Sequence, residues 1–291
     1  RAICAVGAAL GLDPEAAAWG VYQVVCERMA SAARVHVIEQ GHDPRRFPLI
    51  AFGGAGPLHA ARVARALGSP EVLVPPVSGV ASALGFLVAP AAFEFGRSRP
   101  AELEALDWAE VAELFADLEA EGLATVAGAG VPEPEVRLER SAEMRLTGQF
   151  HDIEVPVPDG PLDSRAAAPL REAFEREYRR RYHAVLTGYA PLVLNWRLRA
   201  VGPEPRVTVP HGAALLDGAA RPPVAARPAY FPEAGGMVDT PVLDRYALRA
   251  GERREGPLIV EERESTTIVG PRDQLSVDEA GNLRIRVGHG S

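Results

Sequence analysis

Residues 49–60 read Leu-Ile-Ala-Phe-Gly-Gly-Ala-Gly-Pro-Leu-His-Ala and hold the residue types best suited to chemistry in this chain. The apolar start reads as a buried strand, Gly53 and Gly54 end it, and Pro57 can open a helix. A strand running through glycines into a helix leaves bare backbone N–H groups where an anionic or planar ligand can approach. The competing reading is a tight turn in which Gly53, Gly54 and Gly56 only allow positive φ and close packing. His59, in the first turn of that helix, is the candidate catalytic residue, because a neutral imidazole there can hydrogen-bond a ligand or move a proton. Its bland alternative is a helix-terminal histidine satisfied by backbone or solvent.

Other constellations carry less. His36 and His42 flank Gly41, His151 adjoins Asp152, and no HxH, HExxH or CxxC spacing marks a metal site. Glu261, Glu262 and Glu264 read as a solvated β-edge rather than a catalytic carboxylate pair. Ser265, Thr266 and Thr267 have no histidine nearby in sequence to activate them. Arg179, Arg180 and Arg181 suit an acidic partner but also a solvated helix face. Trp19, Trp108 and Trp196 read as core anchors. The chain has no lysine, which excludes a Walker-type phosphate loop and Schiff-base chemistry within it. A net charge of −8 argues against a nucleic-acid partner.

The elements that must position the glycine turn follow from periodicity. Apolar spacing at Trp19, Tyr22, Val25, Cys26, Met29, Ala33 and Val37 predicts a helix over 14–40, with Asp13 as N-cap and Pro14 at its first position. Strands are expected at 49–52 and 71–75, and helices at 58–67 and 80–89. That order is α/β logic. Helices over 103–127 and 170–182 frame a strand pair at 136–146 and 151–157, and a further strand covers 193–201. Residues 202–228 read as a Pro-, Ala- and Gly-rich connector. Beyond it come short β-runs at 241–243, 258–260, 266–269 and 283–287. Cys4 and Cys26, each among apolar neighbours, fit buried free thiols in a reducing cytoplasm. Apolar runs are too short to span a bilayer. The chain opens on Arg1 rather than Met, without the charged start of a signal peptide, so a piece lacking its N-terminal portion is expected.

The wording of the glycine region is more specific than its spacing. AFGGAGPLHA at 51–60, followed by VLVPPVSGVASALGFLVA at 72–89, resembles the hallmark of the hydantoinase A / 5-oxoprolinase / acetone carboxylase β-subunit family. EMRLTGQFHDIEVPV, NWRLRA, RPAYF, DTPVLDRYALRAGERREGPLIVEERESTTIVGP and VDEAGNL match the same family in order, over nearly the whole chain. The resemblance implies an α/β fold plus a β-rich part: a partial actin-like ATPase lobe over 1–99, an α+β segment over 100–205 and a β-rich C-terminal domain over 206–291. It implies that Gly53, Gly54, Ala55 and Gly56 hold the adenosine end of ATP, with Ser78 and Gly79 near the nucleotide. Magnesium ligands and the phosphate hairpin are expected upstream, so turnover by this chain alone is not expected.

The activity implied is phosphorylation of a cyclic-amide carbonyl before hydrolysis. The alternatives are ketone carboxylation, as in acetone or acetophenone carboxylases, and a non-catalytic assembly module. A hydantoinase B-like subunit, a cyclic amide or ketone substrate and an oligomeric assembly are the implied partners. A sugar-kinase-like enzyme offers no counterpart for residues 230–283.

Overall fold

The computed structural model describes residues 1–183, 188–206 and 226–288. Contacts divide the chain into two compact units, Arg1–Phe86 with the described part of Thr208–Ser291, and Leu87–Val207. This partition differs from three consecutive segments because the last strands of the chain complete the sheet begun by the first. Most of the expected connector over 202–228 lies outside the described residues.

In the first unit, α1 (Ala2–Leu10) leads to α2 (Pro14–Glu39), whose N-cap Asp13 accepts a hydrogen bond from the Ala16 amide at 2.7 Å, with Pro14 in the first turn. Then follow β1 (Leu49–Ile50), α3 (Gly56–Leu67), β2 (Glu71–Val74) and α4 (Ala81–Val88). Gly68 ends α3 in the left-handed conformation at φ 74°. Parallel pairing of β1 with β2 makes β1–α3–β2 a crossover unit.

The tail contributes β7 (Ala226–Phe231), β8 (Gly236–Asp244), β9 (Arg253–Glu255), β10 (Leu258–Glu261), β11 (Thr266–Val269), β12 (Gln274–Val277) and β13 (Leu283–Arg286). A five-stranded sheet runs β1-β2-β13-β12-β9 and a four-stranded sheet runs β11-β10-β8-β7. In register, Ile285 lies opposite Val72 and Leu283 opposite Val74. Those side chains share one buried core with Ala60 and Ala64 of α3 and with Leu258 and Val260 of β10. The glycine turn therefore rests on a platform that both ends of the chain build.

A smaller cluster, Cys26, Ala30, Val63 and Leu67, seals α2 against α3. The outer side of α2 departs from expectation: Val25 and Met29 face outward, as do Val21, Val24, Val35 and Ile38. Cys4 is exposed rather than buried, whereas Cys26 is buried as expected.

The second unit is an antiparallel sheet in the order β3-β6-β4-β5, formed by β3 (Ala92–Glu102), β4 (Arg137–Leu146), β5 (Ile153–Pro156) and β6 (Pro191–Val201). Helices α5 (Trp108–Gly128) and α6 (Ala167–Tyr182) supply the rest of its core. Trp196 is fully buried there, edge-on to Phe115 at 5.6 Å and to the half-buried Trp108 at 6.4 Å. Trp19 is half-buried instead, with the Arg62 guanidinium 4.4 Å over its ring. Among the described residues no helix is long and apolar enough to cross a membrane.

Candidate functional site

The chain leaves β1 through Ala51, whose amide donates to the Leu73 carbonyl at 2.8 Å, and turns at Gly53 with φ 88°. Only glycine adopts that conformation without strain. The Gly53 amide donates to the Ser78 carbonyl at 2.8 Å, which brings the turn after β1 to the turn after β2. Among the described residues the amides of Gly54, Ala55 and Gly56 have no backbone acceptor, and they stand at the N-terminus of α3, where aligned peptide dipoles favour negative charge. A Cβ added to Gly53 or Gly56 would meet nothing within 4 Å among the described residues, which leaves the backbone there open to a ligand.

Gly54 and Gly79 are not open. A Cβ on Gly54 would lie 3.3 Å from the Glu264 carbonyl oxygen, and one on Gly79 would lie 2.5 Å from the Glu264 Cβ and 2.8 Å from its carbonyl group. Both glycines accept the backbone of the β10–β11 connection as a neighbour. The two readings of the glycine stretch thus divide by position, with Gly53 and Gly56 leaving space and Gly54 and Gly79 allowing close packing.

That connection also carries a buried polar group that the sequence reading assigned to a solvated edge. Glu262 is only 8% exposed, and the hydroxyl of the fully buried Ser78 donates a hydrogen bond to its carboxylate. Burial pushes the Glu262 carboxyl above its ordinary range, opposed by the Ser78 hydrogen bond and the nearby charge of Arg245. Arg245, only 1% exposed, donates from Nη2 to the carbonyls of Gly281 at 2.6 Å and Val74 at 3.3 Å, the latter at the end of β2. Its own pKa is brought down to about 10 by burial. Ser265 and Thr267 are buried as well. One sign of these residues was present in sequence: Ser265-Thr-Thr follows the charged run 261–264 directly, in a segment of tight turns. Nothing local named their partner.

The structure thus brings Gly53, Gly54, Ala55, Gly56, Ser78 and Gly79 together, and leaves His59 elsewhere. The His59 ring stacks on Tyr22 with centroids 5.1 Å apart, and its Nδ1 lies 3.5 Å from the Cys26 Sγ. Both neighbours belong to α2. Burial lowers the His59 pKa, which keeps the imidazole neutral at physiological pH. A separate apolar cavity of ≈ 320 Å³ lies between α2, α3 and β7, with Trp19, Tyr22, Tyr230 and Phe231 among its walls. None of the glycine-turn residues lines it.

The hydantoinase/oxoprolinase model matches residues 1–94, and the model of the hydantoinase/oxoprolinase C-terminal domain matches residues 100–286. The chain belongs to the hydantoinase/oxoprolinase family. The α subunit of caprolactamase from Pseudomonas jessenii is 28% identical over 283 residues, covering 96% of this chain and 41% of that subunit. A crystal structure of ATP-dependent caprolactamase from the same organism superposes with a TM-score of 0.66 at 27% identity, over 98% of this chain and 42% of that one. The nucleotide-free structure of acetone carboxylase shares the fold, with a TM-score of 0.69 at 24% identity over 99% of this chain and 42% of that one. The chain spans about two fifths of the length of these relatives. The expected mixed α/β architecture with several sheets is present.

Proposed function

We propose that this chain contributes one wall of an ATP site, in an actin-like lobe, to a subunit of an ATP-dependent cyclic-amide hydrolase. The observation that carries the reading is the glycine turn, where the amides of Gly54, Ala55 and Gly56 have no backbone acceptor among the described residues and space is open over Gly53 and Gly56. A planar base and its sugar need a surface that backbone atoms, not side chains, can approach. Gly53, Gly54, Ala55 and Gly56 would hold the adenosine end, and the Ser78–Gly79 turn would border it. ATP, as its magnesium complex, would supply the phosphoryl group, and phosphorylation of the amide oxygen would make the ring carbonyl electrophilic enough for water to attack it. This chain's own residues bind and orient the nucleotide; none of them is assigned to proton transfer.

Membership in the hydantoinase/oxoprolinase family and the likeness to caprolactamase favour a cyclic amide over a ketone. A ketone carboxylase is the alternative activity on the same turn. A second role rests on a separate observation. The outer face of α2 exposes Val24, Val35 and Ile38, each more than half accessible, at spacings that align along the helix. That face suits contact with further polypeptide, and a hydantoinase B-like subunit is the partner proposed.

The test is ATP hydrolysis by the full-length protein with its neighbouring subunit, with 5-oxoproline, hydantoins, or acetone plus bicarbonate added, in wild type and Gly56→Leu. Stimulation by a cyclic amide that Gly56→Leu abolishes supports the hydrolase. Stimulation only by a ketone with bicarbonate moves the activity to carboxylation. Wild-type turnover in a folded Gly56→Leu protein removes the turn from the nucleotide site.

A further inference from the structure

Val77 precedes Ser78 with φ 52° and ψ 35°, the left-handed conformation, which is an outlier for a β-branched side chain. Such strain persists only where the surroundings over-determine it. Three contacts converge on this turn. The Ser78 hydroxyl is bonded to the buried Glu262 carboxylate, the Ser78 carbonyl takes the Gly53 amide, and Gly79 is packed on the Glu264 backbone. The 262–265 segment is itself closed, because the Glu262 amide donates to the Ser265 carbonyl at 3.0 Å. Arg245 steadies the approach from the other side by donating to the Val74 carbonyl at the end of β2. Of these, only the Ser78–Glu262 bond joins two side chains.

We propose that Glu262 is a positioning residue of the nucleotide site, holding the Val77–Ser78–Gly79 turn in its strained form so that Ser78 fixes Gly53. This deepens the reading given under Proposed function and rests on it. Glu262 acts through Ser78, and no contact of its own with a ligand is invoked. Without the carboxylate, Val77 is free to relax toward ordinary backbone angles, the Ser78 carbonyl leaves the Gly53 amide, and the open backbone of Gly53–Gly56 loses its fixed geometry. A role confined to stability would lower the melting temperature and leave nucleotide affinity alone. A positioning role moves affinity, and an unstrained residue at position 77 restores it. Asparagine tolerates the left-handed region.

The experiment measures binding of a fluorescent N-methylanthraniloyl ATP with magnesium to the full-length protein, beside the melting temperature of the nucleotide-free protein. Glu262→Gln keeps an acceptor oxygen for Ser78 but loses the charge, and is expected to raise Kd about ten-fold, the scale of the difference between a charged and a neutral hydrogen bond. Adding Val77→Asn to Glu262→Gln is expected to recover most of that loss. If Glu262→Gln does not fold, Ser78→Ala with Glu262→Met removes both polar partners together and is expected to show the same rise in Kd. An unchanged Kd in the folded variant, with binding still abolished by Gly56→Leu, overturns the positioning role and leaves the nucleotide site standing. Failure of the wild type to bind the analogue overturns the nucleotide site itself.

Discussion

Ser78 and Glu262 are hydrogen-bonded across 184 positions of sequence, both buried, one beside the glycine turn and the other in the β-rich tail. The bond makes the tail part of the site. It also sets a pH dependence whose sign follows from burial. The folded carboxyl is pushed above its ordinary value of 4.5. A group raised on folding favours the native state most below its unfolded pKa, and that contribution is lost as pH rises through the folded value. Glu262→Gln carries no such titration. The stability of wild type relative to Glu262→Gln is therefore expected to be greatest at the acid end, below pH 4.5, and to decline as pH rises above it, in urea unfolding of both proteins over about pH 4 to pH 7. A difference that grows with pH would mean that Arg245 and Ser78 outweigh desolvation.

Gly79→Ala tests the packing half of the glycine pattern. Its Cβ would stand 2.5 Å from the Glu264 Cβ and 2.8 Å from backbone atoms, which cannot rotate away. Overpacking of this kind costs about 1–3 kcal/mol. Gly56→Ala, with nothing within 4 Å of the new methyl, is expected to be nearly neutral. Denaturant midpoints of the two variants should therefore separate clearly, and equal midpoints would mean that the Glu264 segment yields.

His59→Phe separates packing from proton transfer. Phenylalanine keeps a ring to stack on Tyr22 and gives up only the contact between Nδ1 and the Cys26 sulfur. Loss of a general acid or base slows an enzyme by about 10²–10⁴-fold. Retention of turnover within about three-fold of wild type is expected, far below that range. A hundred-fold fall in kcat, with the melting temperature unchanged, would return the proton-shuttle role to His59.

Local signals in the sequence carried the frame of the site. Asp13-Pro14 marks the start of α2, Gly53-Gly54 the end of β1, and Pro57 with Gly68 brackets α3, each through one or two residues acting on their own backbone. What escaped was decided at long range. β3 is exposed along most of its length and contains Gly96 and Pro100, so it shows no alternation; it is a strand because β6 pairs with it. Glu262 in a run of charged residues looks solvated until Ser78 is beside it. Val25 and Met29 fit the apolar period of α2, yet only the Cys26 and Ala30 side meets α3, since a helix with apolar residues on more than one side does not announce which side faces inward.

The Arg65–Asp273 pair gives a sharper test of how the tail supports α3. The Asp273 carboxylate is fully buried and accepts three hydrogen bonds, from Arg65 Nη2 at 2.6 Å, the Gly288 amide at 2.9 Å and the Gly270 amide at 3.0 Å. Arg65 lies in the last turn of α3, so one carboxylate ties that helix to the turn after β11 and to the end of β13. Asp273→Ala leaves two amides and a guanidinium without their acceptor at once. Each buried donor left without a partner costs about 1–3 kcal/mol. Asp273→Asn keeps one acceptor oxygen but loses the charge and turns an N–H group toward one of the donors, so a smaller loss is expected. Arg65→Ala should cost least, because the side chain is 27% exposed and the buried carboxylate keeps both amides. Guanidinium unfolding of the three variants checks that order; if Arg65→Ala proves the most damaging, the carboxylate depends on the arginine rather than on the amides.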